Sequence, residues 1–82
     1  MTLSQAIREK IKLTLKEKQM TAWALFKASA VPCSTISTFM TGKTELIKLD
    51  TLLHICEGFE ISLGEFFSDP IFDDVEQEKN DE

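Results

Sequence analysis

The sequence contains no tyrosine, one histidine and two cysteines, and this shortage of ligand side chains argues against several kinds of chemical site. Cys33 and Cys56 are far apart and form neither a CxxC pair nor a cluster with His54. Because zinc sites need about four such ligands at short, characteristic spacings, we expect no metal site. In a reducing cytosol we expect both thiols to stay free.

Glycine is also scarce, and its three copies do not form a phosphate-binding loop. No nucleophilic side chain stands beside a recognisable general base. We therefore expect no catalytic residues and no cofactor, and the sequence does not predict an enzyme.

Long apolar runs are missing as well. No run approaches the roughly 20 residues that span a bilayer. Residues 1–12 mix charged and apolar side chains and lack the apolar core of a secretory signal. The sequence therefore predicts a cytoplasmic protein that does not enter a membrane.

The net charge of -5 is unevenly distributed along the chain. Residues 1–68 carry eight basic and seven acidic side chains, net +1, whereas residues 69–82 carry one basic and seven acidic, net -6. We therefore predict a folded domain over 1–68 and an acidic C-terminal tail over 69–82. The tail is expected to be largely disordered because Asp69 precedes a proline and residues 76–82 are polar, although Ile71, Phe72 and Val75 are able to dock on the domain.

Apolar spacing predicts five short helices and no strand. The first opens at the capping box Thr2-x-x-Gln5 and ends near Lys18. The second runs over 22–29, and the third runs over about 32–41 and ends at Gly42. The fourth ends near residue 58, and the fifth opens at a second capping box over 62–65. The apolar positions are Leu3, Ile7, Ile11 and Leu15 in the first helix, Leu25 and Phe26 in the second, and Leu49, Leu52, Leu53, Cys56 and Phe59 in the fourth.

The central feature is the pair of short helices over 22–29 and 32–41, separated by a tight break. The outer face of the second helix is small and polar. A major groove about 12 Å wide admits one helix, and such a face can lie deep within it. The alternative to a DNA-binding face is an ordinary solvent-exposed surface that binds no ligand. The residues of this face are Cys33, Ser34, Thr35, Ser37, Thr38 and Thr41.

Four segments resemble the Cro/cI-type (XRE) helix-turn-helix family in order and spacing. They are Ser-Thr-Ile-Ser at 34–37, Gly-Lys at 42–43, Thr-Leu-Leu-x-Ile at 51–55 and Ile-Ser-Leu-x-Glu-Phe-Phe at 61–67. The resemblance covers residues 3–67 and implies an all-α fold, a compact five-helix bundle. It also implies that the third helix enters the major groove of double-stranded DNA while the second crosses the backbone.

By position, the resemblance implies a set of DNA-contacting residues. Cys33, Ser34, Thr35, Ser37 and Thr38 would face bases or nearby phosphates. Thr21 would offer its hydroxyl or the neighbouring helix amides to a phosphate, and Thr41 and Lys43 would contact the backbone. The sequence departs from the family where Ala22 replaces a common Gln and Ala30 replaces a common Gly. The third helix also lacks Arg, Gln and Asn, which make bidentate base contacts, so we expect readout to rely on methyl contacts and DNA shape.

The resulting hypothesis is a sequence-specific transcriptional regulator, a repressor that occupies its operator as a homodimer. The alternative is a helix-turn-helix scaffold that acts through protein contact, as an antitoxin-like or anti-regulator module. Two further questions stay open. Trp23 is expected to pack, the other interpretation being a position beside DNA or a partner. Phe66, Phe67, Ile71 and Phe72 either close the core or leave an apolar patch for a dimer partner.

Overall fold

The computed structural model describes residues 1–43 and 46–76, which form an all-α domain with five α-helices. The predicted fold class is therefore confirmed. A short 3-10 helix follows the last α-helix, and the described ranges contain no strand beyond an isolated bridge between Thr2 and Glu76. The helices are α1 Leu3–Glu17, α2 Ala22–Ser29, α3 Cys33–Met40, α4 Leu49–Phe59 and α5 Leu63–Phe67, and the 3-10 helix is Pro70–Asp74.

Both predicted capping boxes are present and fix where α1 and α5 begin. The Thr2 hydroxyl accepts a hydrogen bond from the Gln5 N–H at 3.2 Å, and the Gln5 side chain accepts from the Thr2 N–H at 2.8 Å. Ser62 and Glu65 repeat the arrangement at 3.0 and 3.2 Å. Each box provides partners for two backbone donors that a helix start leaves unpaired.

All five helices contribute to one apolar core, in which α2 packs most extensively against α4. That contact is close because Gly58 has no side chain. A Cβ atom placed on Gly58 would lie 2.9 Å from the Cβ of Ser29. The core residues are Ile7, Ile11, Leu25, Val31, Ile36, Phe39, Leu52, Ile55, Cys56, Phe59 and Phe66.

The apolar stripes predicted from spacing are wider than the surface that the helices bury. Leu3 and Leu49 are 42% and 73% exposed, and Leu53 is 39% exposed. Phe26 is half-buried. Leu3 and Leu49 are the first residues of α1 and α4, where a helix extends past the elements that it packs against. Periodicity alone does not distinguish such positions from the core.

The start of the acidic tail is structured. One carboxylate oxygen of Asp69 accepts a hydrogen bond from the Ile71 N–H at 2.9 Å, and the other accepts from the Lys10 ammonium at 3.2 Å. These two bonds lower the pKa of Asp69. Capping and an ion pair thus hold the start of the tail against α1, while disorder of the tail as a whole stays a prediction. Residues 77–82 lie outside the described residues.

The aromatic side chains near the C-terminal end close the core. Phe66 is fully buried, and the Phe72 ring lies 5.7 Å from the Phe66 ring and 4.9 Å from that of Phe67. Of the two interpretations left open for this cluster, the structure favours closure of the core. Phe67 nevertheless remains 36% exposed, and further exposed apolar side chains lie in and just before α4, at Leu46, Leu49 and Leu53.

Candidate nucleic-acid interface

The N-terminal end of α2 is capped by Thr21, whose hydroxyl accepts a hydrogen bond from the Ala24 N–H at 3.0 Å. The side chain is exposed. A hydroxyl that accepts one bond still has a proton to donate. Helix starts also attract anions through their free amides and the positive end of the helix dipole. Thr21 is therefore an exposed hydroxyl at a helix start, and its contact with a phosphate stays a prediction.

The turn between α2 and α3 depends on a left-handed alanine. Ala30 has φ 59° and ψ 15°, a conformation that costs a non-glycine residue roughly 1–2 kcal/mol. Val31 is buried beneath the turn, and its N–H donates to the Ser29 hydroxyl at 3.3 Å. Pro32 then precedes α3. Three residues thus join α2 to α3, of which Ala30 is left-handed, Val31 is buried and Pro32 precedes the helix.

The two faces of α3 are cleanly separated. Ile36 and Phe39 point into the core and are 6% and 2% exposed. The polar face predicted from the sequence lies outside: Thr38 is half-buried, and its other members are fully on the surface. The exposed members are Cys33, Ser34, Thr35, Ser37 and Thr41.

The hydroxyls of this face differ in what they can offer a ligand. The Thr38 hydroxyl donates to the Thr35 carbonyl at 3.1 Å, and the Thr41 hydroxyl donates to the Ser37 carbonyl at 2.9 Å. In these rotamers both threonines can only accept a further hydrogen bond. The hydroxyls of Ser34 and Ser37 make no hydrogen bond to another described residue, so they retain both roles.

A Schellman motif ends α3 and fixes the residue that follows it. Gly42 has φ 82°, and its N–H donates to the Phe39 carbonyl at 3.1 Å. The Lys43 N–H donates to the Thr38 carbonyl at 3.0 Å. This pair of bonds is the usual pattern at a helix end with a left-handed glycine. The backbone of Lys43 is therefore anchored while its side chain remains exposed.

Arg8 of α1 supports the C-terminal end of α3, a contact that sequence reasoning missed. Its Nε donates to the Phe39 carbonyl at 2.7 Å, and its guanidinium carbon lies 4.8 Å from the centroid of the Phe39 ring. Arg8 is not one of the apolar positions that define the predicted core face of α1. The two residues are 31 positions apart, and no local spacing indicates such a contact.

The charge around α2 and α3 differs in sign from that of the whole chain. Residues 1–43 include seven basic and two acidic side chains, net +5. From residue 21 to residue 43 the charged side chains are Lys27 and Lys43, with no acidic residue. The acidic residues are concentrated after α3. The modest net +1 of residues 1–68 therefore conceals a basic half that contains both helices.

An apolar groove of about 340 Å³ separates the exposed sides of α2 and α3. Trp23 lies at its edge and is 61% exposed, with its ring 5.2 Å from that of Phe26. The expectation that Trp23 packs is therefore met only in part, because its ring contacts Phe26 while most of the side chain is exposed. We call this feature the α2–α3 groove, which is lined by Ala22, Trp23, Phe26, Cys33, Ile36, Ser37, Met40 and Thr41.

In the described part of the chain, Cys56 and His54 do not belong to a second cluster of reactive side chains. Cys56 is fully buried, and burial raises the pKa of its thiol to about 11, so it is a neutral core residue. His54 is exposed and lies 3.2 Å from the Glu57 carboxylate. Within residues 1–43 and 46–76, no three His, Cys, Asp or Glu side chains are placed to hold a metal ion. No helix of that part is long and apolar enough to cross a membrane.

The geometry of α2, the turn and α3 agrees with a comparison against protein families. The family model of the Cro/C1-type helix-turn-helix DNA-binding domain matches residues 10–70, which is most of the chain. The chain belongs to this family. The resemblance found in the sequence is thereby confirmed. No curated protein and no solved structure gives a significant match.

In a Cro/C1-type domain, α2 and α3 are the two helices of the motif, and α3 is the recognition helix. The residues predicted to contact DNA lie on α3 or next to an end of α2 or α3. That these residues contact DNA together stays a prediction. Arg8 contacts the same two-helix unit from α1. Trp23, for which the sequence left packing and a position beside DNA or a partner open, lies on α2 itself.

Proposed function

We propose that this Cro/C1-type domain is a sequence-specific transcriptional regulator of the cytoplasm that represses by occupying its operator as a homodimer. The observation that carries the proposal is the outer face of α3. It is small, polar and free of acidic residues, with Lys43 anchored at its end. Bound in this way, the domain blocks access to the promoter and needs no catalytic chemistry.

In the proposed complex α3 lies in the major groove and its flanks hold the phosphate backbone. Thr21 and the free amides at the start of α2 bind one phosphate. Lys43, just beyond α3, binds another. Phosphate contacts of this kind set position and register without reading sequence. Short side chains on α3 allow its backbone to approach the bases closely.

Base readout in this complex is weak at each position. Bidentate contacts from Arg, Gln or Asn discriminate by about 1–3 kcal/mol each, and α3 has none of these side chains. Cys33 and the Thr35 methyl group instead suit the methyl group of thymine. The Thr38 hydroxyl, which donates to its own helix, accepts from the amino group of adenine or cytosine. Sequence-dependent DNA shape supplies a further share.

A charge placed on α3 tests the proposal. Duplexes enriched from a randomised pool at low salt are titrated with the wild-type protein, with Ser37→Glu and with Leu13→Glu. Leu13 is on α1 and 38% exposed, so its variant adds the same charge away from α3. We expect Ser37→Glu to weaken binding at least about tenfold, since a carboxylate then faces phosphates, and Leu13→Glu to change it less than about threefold. Equal losses, or a folded wild-type protein that binds no duplex, would contradict the proposal.

Salt dependence gives a second test of the backbone contacts. Each phosphate contact contributes roughly 0.9 to the slope of log affinity against log salt. Lys43→Ala should weaken binding to all duplexes alike and reduce the slope by about 1. Lys12→Ala, an exposed position on α1, serves as the control and should leave the slope unchanged.

One observation favours the alternative of a protein-binding scaffold. The α2–α3 groove is apolar and exposes most of Trp23, and apolar surface of this kind also marks protein contacts. Under this alternative, Trp23→Ala abolishes capture of a stoichiometric protein partner from the source cell, and the wild type binds no duplex. If the wild-type protein binds a duplex at low salt, the result supports the DNA-binding regulator and rejects the scaffold alternative.

A further inference from the structure

The α2–α3 groove has an aromatic wall that the fold leaves largely uncovered. Trp23 is 61% exposed, although tryptophan is usually a well-buried residue. Its ring lies against Phe26, with 5.2 Å between the ring centroids and 49° between the ring planes. Ala22, which also lines the groove, contributes only a methyl group and does not cover it. The groove therefore exposes apolar surface directly beside the recognition helix.

We propose that the α2–α3 groove holds a deoxyribose of the DNA backbone and that Trp23 covers this sugar, an inference that rests on the proposed function. Because α3 enters the major groove while α2 crosses the backbone, the DNA strand at that crossing passes the exposed sides of both helices. Three residues that line the α2–α3 groove belong to the predicted DNA-contacting set, namely Cys33, Ser37 and Thr41. The apolar groove is therefore continuous with the proposed DNA-binding face.

Charge selects the DNA backbone as the occupant. Thr21, two residues before Trp23, caps the start of α2, where free amides and the helix dipole attract a phosphate. Lys27 is exposed and lies one helical turn beyond Trp23 on the same side of α2. It forms no ion pair within the described part of the chain, and residues 21–43 contain no Asp or Glu. The apolar ring therefore lies between two positions that favour anions, as a sugar lies between two phosphates.

The indole suits a sugar–phosphate contact in two ways. Its flat face can pack on the carbon atoms of the sugar. Its Nε1–H makes no hydrogen bond to another described residue, so it can donate to a phosphate oxygen. Burial of apolar surface also adds affinity that depends little on salt, because it releases no counterions. This contribution matters here because α3 lacks the long side chains that make strong base contacts.

Fluorescence of the full chain tests the contact directly, because Trp23 is its sole tryptophan and it has no tyrosine. An enriched duplex is added at low salt, and binding is followed separately by the anisotropy of a dye on the duplex. We expect bound DNA to change the Trp23 emission and to shield the indole from quenching by acrylamide. A duplex that binds while Trp23 stays as accessible as in the free protein would refute this inference and leave DNA binding intact. If no duplex binds, the proposed function fails and the inference fails with it.

Substitutions separate a contact with DNA from a structural role of the side chain. Trp23→Ala should weaken duplex binding about tenfold and leave the slope of log affinity against log salt unchanged. Trp23→Phe, which keeps an aromatic ring beside Phe26, should recover part of the loss. Leu13→Ala, an apolar truncation on α1, serves as the control and should change neither quantity.

Two results of these titrations would overturn the assignment. One is an equal loss of affinity in Trp23→Ala and in the Leu13→Ala control. The other is wild-type affinity for the duplex in Trp23→Ala. If that variant also loses a stoichiometric protein partner that the wild type captures, the groove belongs to the protein and not to DNA.

Discussion

α2 and α4 approach each other closely at Gly58, and replacing it with alanine should destabilise the domain. The new Cβ would lie 2.9 Å from the Ser29 Cβ and 3.1 Å from both the Cα and the backbone nitrogen of Ser29. Carbon atoms pack favourably at about 3.5–4.0 Å. Two of the three obstructing atoms belong to the backbone, so no change of rotamer relieves the contact and α2 itself must move.

The size of the effect follows from two opposing terms. Alanine is favoured over glycine inside a helix by about 1 kcal/mol. Overpacking a core typically costs about 1–3 kcal/mol, and a backbone obstruction belongs at the upper end. The expected net loss of Gly58→Ala is therefore about 1–2 kcal/mol. For a domain of this size that corresponds to a fall in Tm of roughly 5–15 °C.

Gly64→Ala provides the matched control. The nearest atom to a Cβ at this helical position is the Ser62 hydroxyl oxygen, at 3.8 Å, an ordinary contact. Because there is no overpacking at this position, only the gain in helix propensity from glycine to alanine should act. Gly64→Ala should therefore raise the Tm by a few degrees. Thermal melts and urea titrations of both variants measure the difference. Equal or greater stability of Gly58→Ala than of the wild type would refute the close packing of α2 on α4.

Three further predictions concern the turn, the ordered start of the tail and the cysteines. Ala30→Gly should stabilise the domain by up to about 1 kcal/mol because it relieves a left-handed alanine, and a lower urea midpoint would contradict this. The lowered pKa of Asp69 adds stability that is fully present above about pH 3.9, the usual value of the unfolded chain, and is lost as the pH falls through the folded value. The Tm difference between wild type and Asp69→Asn should therefore shrink on acidification, and a constant difference would argue against the Lys10 ion pair. A thiol reagent should modify exposed Cys33 quickly and buried Cys56 only on unfolding. Rapid modification of both thiols in the folded protein would contradict the burial of Cys56 in the core.

Local signals in the sequence predict most of the fold. Hydroxyl caps at Thr2, Thr21 and Ser62 define where three helices begin, and Gly42 marks the end of the recognition helix. These features succeed because each acts through hydrogen bonds within a few residues of itself. The polar face of α3 is predictable for the same reason, since its periodicity is local.

Contacts between distant segments are what the sequence does not reveal. Arg8 reaches the Phe39 carbonyl across 31 residues, and Phe72 packs on the C-terminal aromatics and orders the start of an acidic tail. Exposure of Leu49 and Trp23 is equally hidden, because an apolar residue at a helical spacing looks the same whether or not another element covers it.

Amide chemical shifts recorded during titration with an enriched duplex test the central claim most directly, that the outer face of α3 binds DNA. The account predicts the largest shift changes at residues 33–43 and at 21–24, with small changes along α1 and at the C-terminal end of α4. A duplex that leaves residues 33–43 unchanged at low salt, or that perturbs mainly α5 and the following 3-10 helix, would contradict it.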